Sequence, residues 1–210
     1  DNIRDFFRTG VNSVSNISID HATEDSDLRL SFSRLDNAGI VPNTDLTRNT
    51  IQTSIGKRLF DNKLSVRLNA MYINSGSGNI PNSGYDESSS IQYGWLWYPR
   101  QVHTDELKEY WEPGLEGVQQ RYVEKLWVNN PWMIVNENTN SFGNNRLISN
   151  ATINYNLTDR LSVRLRYGAD VLDESREYRR APSTKAVLLG SYREDKISFS
   201  ETNAEALVSY

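Results

Sequence analysis

The chain has no cysteine, which removes thiol catalysis, disulfide frameworks and thiolate metal sites together. Histidine is almost as scarce: His21 and His103 are the only two, too few for a histidine metal cluster or a triad built in the usual way. No apolar run approaches the roughly 20 residues that a membrane helix needs. Positive charge is not in excess either; the formal charge of -4 argues against nucleic acid, whose phosphates require a basic surface. The start, "DNIRDFF", lacks a basic region followed by an apolar one, so it reads as a mature, cytosolic or internally cut start. The acid-rich "HATEDSD" and the loop "VNENTNSFGNN" lack the spacing of a calcium loop, and no metal or other cofactor is expected. Adjacent carboxylates such as Asp105/Glu106 and Glu24/Asp25 are expected by chance among 27 acids, so they do not make a glycosidase dyad and the chain does not read as an enzyme.

What is present is alternation. In "LTDRLSVRLRYGADV" (157–171), Leu161, Val163, Leu165, Tyr167, Ala169 and Val171 share one parity, and Ser162, Arg164, Arg166, Gly168 and Asp170 the other. Successive strand side chains point to opposite faces, so this stretch separates an apolar environment from a wet one. The core of a soluble sandwich would satisfy it, and so would lipid around a water-filled barrel. The mean hydropathy of -0.63 suits a soluble domain, but a membrane barrel buries only every second strand residue in lipid and carries long polar loops, so its average can match.

The same period predicts strands near 14–21, 27–35, 48–58, 63–74, 147–157, 161–172 and 199–210. The connections alternate in length. Short ones ("HATEDSD", "LFDNK", "LTDR") follow the first, third and fifth strands; longer ones follow the second ("DNAGIVPNTDLT"), the fourth (about 75–146) and the sixth (about 173–196). If neighbours are antiparallel, all the short turns lie at one end, as in outer-membrane barrels. "LSVRL" recurs at 64–68 and 161–165 after an Asp-bearing turn, which reads as two similar hairpins.

The 75–146 loop holds all five tryptophans, Trp95, Trp97, Trp111, Trp127 and Trp132. Within it "HTDELKEYWEPG" predicts a short helix with Thr104 as N-cap, acids in the first turn and Pro113-Gly114 as the stop. The aromatics have two readings: a small core for the loop itself, or a stacking surface for a sugar face or an apolar side chain. On the second reading Tyr98, Trp111 and Trp132 are the substrate-binding candidates.

"NIRDFFRTG", "VSNISI", "LRLSFSRLDNAGIVPNTDLTR", "NNPW", "NENTN" and "NRLISNATINYNLTDRLSVRLRYGADVLDESREYRRAPST" together resemble the barrel region of TonB-dependent transporters of the SusC/RagA class from Bacteroidetes. The likeness is collinear over essentially the whole chain. It departs from the family at Asp20-His21, where members often carry Gly-Gly. The resemblance implies an outer-membrane importer of oligosaccharides or oligopeptides with a SusD-like surface lipoprotein as lid. It also implies energy from TonB-ExbB-ExbD through an N-terminal plug region absent from these residues. The expected fold is therefore all-β: residues 1–210 as part of one antiparallel transmembrane barrel domain, about seven strands of a 22-stranded wall. Lipid would lie outside, with Arg164, Arg166 and Asp170 facing the lumen. The rival is a secreted all-β carbohydrate-binding module using the Trp-rich loop.

Overall fold

The computed structural model describes residues 2–122 and 128–210. It is all-β: seven strands form one antiparallel sheet in sequence order, β1 (Val11–Ala22), β2 (Ser26–Ala38), β3 (Asp45–Leu59), β4 (Leu64–Ser77), β5 (Asn140–Asn156), β6 (Ser162–Arg180) and β7 (Ser191–Ser209). No described helix is long and apolar enough to cross a membrane. The connections 23–25, 60–63 and 157–161 are short turns, and 78–139 is the long one. The first and third of the longer connections are shorter than the sequence suggests, 39–44 and 181–190, because the strands run on beyond their apolar stretches. Those extensions are mostly polar, with isolated apolar residues such as Phe142 and Tyr178, so alternation of hydrophobicity gives little sign of them.

Register explains why the alternation matters. Ile17, Phe32, Ile51, Tyr72, Leu147 and Val171 fall in one row across six strands. His21, Leu28, Ile55, Leu68, Ala151, Tyr167 and Ala204 form another on the same face, and Leu64, Tyr155, Val163 and Val208 a third. The described residues contain no second sheet over these rows. Leu165 is 46% exposed, Tyr167 54% and Ile17 64%.

Towards the long-loop end the apolar face stops at a polar row: Ser15, Arg34, Asn49, Asn74, Asn145 and Asp173. The apolar stripe also runs obliquely. It centres on Leu30 in β2, whose row reaches Thr202 in β7, yet in β7 it centres on Ala206. That drift of about 14 Å over five strand spacings of about 4.8 Å corresponds to a slope of roughly 30°.

The opposite face carries charge in pairs. Asp20 meets Arg29 at 3.4 Å, Asp27 meets Arg67 at 2.8 Å, and Arg146 grips Asp170 at 2.5 Å. The Asp27–Arg67 pair joins β2 to β4 directly above Gly56 of β3, where a Cβ would stand 2.3 Å from the Asp27 carboxylate. Each exposed pair contributes only about 0–1 kcal/mol, so this face is wet by composition without being a stabilising core.

Candidate functional site

Buried apolar residues lie not under the sheet but at its long-loop end, where four segments fold together. The first is α1 (Asn2–Phe6) with the residues up to Gly10. Phe6 is 1% exposed and packs with Ile91, Ile134 and Val135, ringed by Phe7, Trp95 and Trp132. Arg8 then fastens this segment to the second one, 39–44: its Nε and Nη2 donate to the Gly39 and Thr44 carbonyls, both at 2.8 Å. Gly39 is required there, since a Cβ would come within 2.2 Å of the Thr44 hydroxyl. "FFRTG" and "GIVPNTD" are therefore two halves of one clasp.

The third segment, 78–139, supplies α2 (Ile91–Trp97), a single 3-10 turn at Thr104–Leu107, and α3 (Pro131–Glu137). Ser90 caps α2 by accepting from the Tyr93 N–H at 3.1 Å. Asn130 caps α3 by accepting from Trp132 N–H at 2.9 Å, with Pro131 in the first turn. The expected helix from Thr104 is only that one turn, flanked by His103 and not capped by Thr104. Its carbonyls are engaged elsewhere: the Trp132 indole donates to Thr104 O at 2.8 Å and the Asn130 amide to Leu107 O at 3.0 Å.

The fourth segment, 181–190, is joined by buried polar groups. The Gln120 amide donates to the Ser183 carbonyl at 2.6 Å and to Asn129 at 2.8 Å, and the Asn138 amide donates to the Ser88 carbonyl at 2.6 Å. Asn138 accepts from Ala181 N–H and from the Thr184 hydroxyl. Arg180, at the end of β6, donates to Ser88, Ser89, Thr139 and Asn140. Buried amides and hydroxyls bonded in this way hold the four segments as one plate; left unpaired, each would cost about 1–3 kcal/mol.

Asp86 stands at the entrance to α2. Burial would raise its carboxyl, but hydrogen bonds from Ser89, from the Ser88 side chain and backbone, and from Asn82 outweigh that and hold it below the usual range. Burial, with Glu106 nearby, pushes the Tyr98 phenol up to about 12. Burial and the hydrogen bond to Glu137 do the same for Tyr110, to about 12.

The sequence-derived aromatic candidates divide on this geometry. Tyr98 is 6% exposed, lies 4.6 Å from the Trp95 ring and donates its hydroxyl to Val102 O. It is a buried residue of the loop's own interior, as a loop this long needs aromatic mass there. Trp132 is half-buried against Phe6, with Lys108 5.4 Å from its ring centre. Trp111 is half-buried beside Tyr110. Trp127 lies outside the described residues, while Trp97 is 55% exposed. Arg164, Arg166 and Asp170 share the charged face of β6; Arg164 hydrogen-bonds Asn154, and Arg166 reaches Glu205 at 4.0 Å. No group of His, Asp and Glu able to hold a metal occurs among the described residues.

The fold defines a class: a single-layer antiparallel wall with an apolar stripe on one face, paired charges on the other and a folded plate of loops at one end. Two solved chains, titled as the RagAB peptide importer in its "open-open" and "closed-closed" states, share it with a TM-score of 0.71 and 17% identity. They match 96% of this chain, which spans 22% of theirs. No protein-family profile and no curated protein matches the sequence.

Proposed function

We propose that the chain is part of the wall of an outer-membrane importer, with the apolar stripe against lipid and Arg164, Arg166 and Asp170 facing a water-filled lumen. The observation that carries this reading is the bare apolar face: side chains such as Leu165 and Tyr167 are exposed in register across the sheet with no second layer above them. In water a face of that size is an aggregation liability, whereas in a bilayer it is the required surface. On β6 the stripe from Val163 to Val171 spans about 27 Å at about 3.4 Å per residue, or roughly 21–24 Å along an axis inclined 30–40° to the strand. That is close to the apolar band of about 25 Å on known barrels.

The reading extends to import of oligosaccharides or oligopeptides with a surface lipoprotein as lid and energy from TonB; it is a transport role and not a catalytic one. Likeness to the importer chains supports the architecture, and the loop plate lies at the end that would face outside. Trp111 and Trp132, partly buried on that plate, remain the proposed capture residues. The secreted sandwich reading lacks its second sheet among the described residues. The test is Leu165→Arg in the full-length protein. It should lower assembly into outer membranes, at a cost of about 2–4 kcal/mol near the bilayer midplane. Normal assembly of that variant overturns lipid contact at Leu165.

A further inference from the structure

A recess of about 410 Å³ opens on the charged face where the strands pass under the loop plate. Ile80, Pro81, Phe142 and Tyr178 give it apolar walls, and Glu174 and Arg176 stand on its floor. Register sets Arg176 opposite Asp195 and Tyr178 opposite Arg193. Glu174 pairs with Arg176 and Asp195 with Arg193, so acid and base alternate over two strands, and the Arg193 guanidinium lies 4.7 Å from the Tyr178 ring centre.

The amides beside this recess are already engaged. Asn82 donates to Asp86 and Ser89, and Asn140 donates to the Ile80 carbonyl while accepting from Arg180. The loop aromatics Tyr98 and Trp95 are packed against each other in the plate. A neutral sugar depends on free amides for its hydroxyls, and the amides of Asn82 and Asn140 are taken. What the recess offers is apolar wall and ion pairs that can exchange partners, because an incoming carboxylate can take the Arg176 guanidinium as an ammonium takes Glu174.

We propose that this recess is a substrate subsite for an oligopeptide that carries both a carboxylate and an ammonium group. The assignment rests on the importer reading and names its substrate class. Calorimetry on the purified full-length protein tests it with three probes. One is a hexapeptide with free termini and one lysine and one aspartate among apolar residues; the second is its blocked, uncharged counterpart; the third is maltohexaose.

The charged hexapeptide should bind about tenfold more tightly than the uncharged one. Glu174→Gln with Arg176→Gln should erase that preference, while the charge-swapped pair Glu174→Arg with Arg176→Glu should keep most of it. Asp20→Asn with Arg29→Gln, a pair elsewhere on the same face, should leave it unchanged. Equal binding of the two peptides, or an unaffected Gln pair, overturns the subsite, as does loss of binding in the Asp20/Arg29 control. Preference for maltohexaose overturns the peptide assignment and leaves the importer standing. The importer reading fails separately, if Leu165→Arg assembles normally.

Discussion

Phe6 lies outside the sheet, yet it is the largest fully buried side chain among the described residues, with ring centres at 4.9 Å from Trp132 and 5.1 Å from Trp95. Phe6→Ala leaves a cavity between rigid rings and should destabilise the plate by about 3–5 kcal/mol. Limited proteolysis of the full-length protein should then cut within 78–139 at a rate well above that of the parent, while the strands stay protected. Single ionisable groups set the pH range over which the plate holds. Asp86 has a lowered carboxyl, so its contribution is complete above the ordinary aspartate value of about 3.9 and is lost as pH falls through the lower folded value. Tyr98 and Tyr110 titrate at about 12 in the fold, above the free phenol near 10. Their contribution is complete below about pH 10 and disappears as pH rises towards about 12. Protease sensitivity of 78–139 should therefore be flat from mildly acidic to mildly alkaline pH and rise at both extremes. A maximum of sensitivity near neutral pH contradicts this assignment.

At the scale of elements, Asn130 illustrates how short helices survive in a loop. Helices of this length are not stable alone, and α3 depends on its cap, its proline and its burial. Asn130→Ala removes the cap and also the amide bonds to Leu107 and Arg121, so a loss of about 2 kcal/mol is expected, at the upper end for capping residues. A comparable protease assay reads it. Strands were legible in the sequence because one face is apolar at period two: the "LSVRL" hairpins and the stripe on β6 sit where alternation puts them. Strand ends were not, since beyond Arg34, Asn74 and Asp173 apolar residues are isolated and the strands are joined by backbone bonds and by polar or cation-π side-chain contacts such as Ser75–Asn144 and Arg193–Tyr178, which leave no apolar period. The loop elements were still less legible. α2 and α3 are only one or two turns long, and the turn at Thr104 is cut short by Trp132 and Asn130, partners distant in sequence. Nor did any local pattern mark Gln120, Asn138 or Thr184 as buried; only the meeting of 78–139 with 181–190 makes them so.

At the scale of the whole sheet, β1 and β7 are open edges among the described residues, and unpaired backbone groups in hydrocarbon cost several kcal/mol each. A wall with a lipid face must therefore continue into further strands until it closes. Closure requires tilted strands, and tilt has a signature inside this sheet: a lipid band that is level in the membrane must cross the hydrogen-bonded rows at an angle. The stripe does so at roughly 30°, near the 35–45° of transmembrane barrels. This makes Arg substitutions in a single row unequal. Leu30 and Thr202 share a row, but the tilt places Leu30 in mid-band and Thr202 towards its rim. Leu30→Arg should cost about 2–4 kcal/mol and Thr202→Arg about 0–1, while Ala206→Arg, two positions further along the same face, should match Leu30→Arg. Arg166→Leu on the charged face should assemble normally if that face meets water. Folding titrations of the full-length protein into lipid vesicles would rank the four. If Thr202→Arg proves as costly as Leu30→Arg and Ala206→Arg proves mild, the band follows the rows, the strands stand upright and the sheet is not a segment of a tilted barrel.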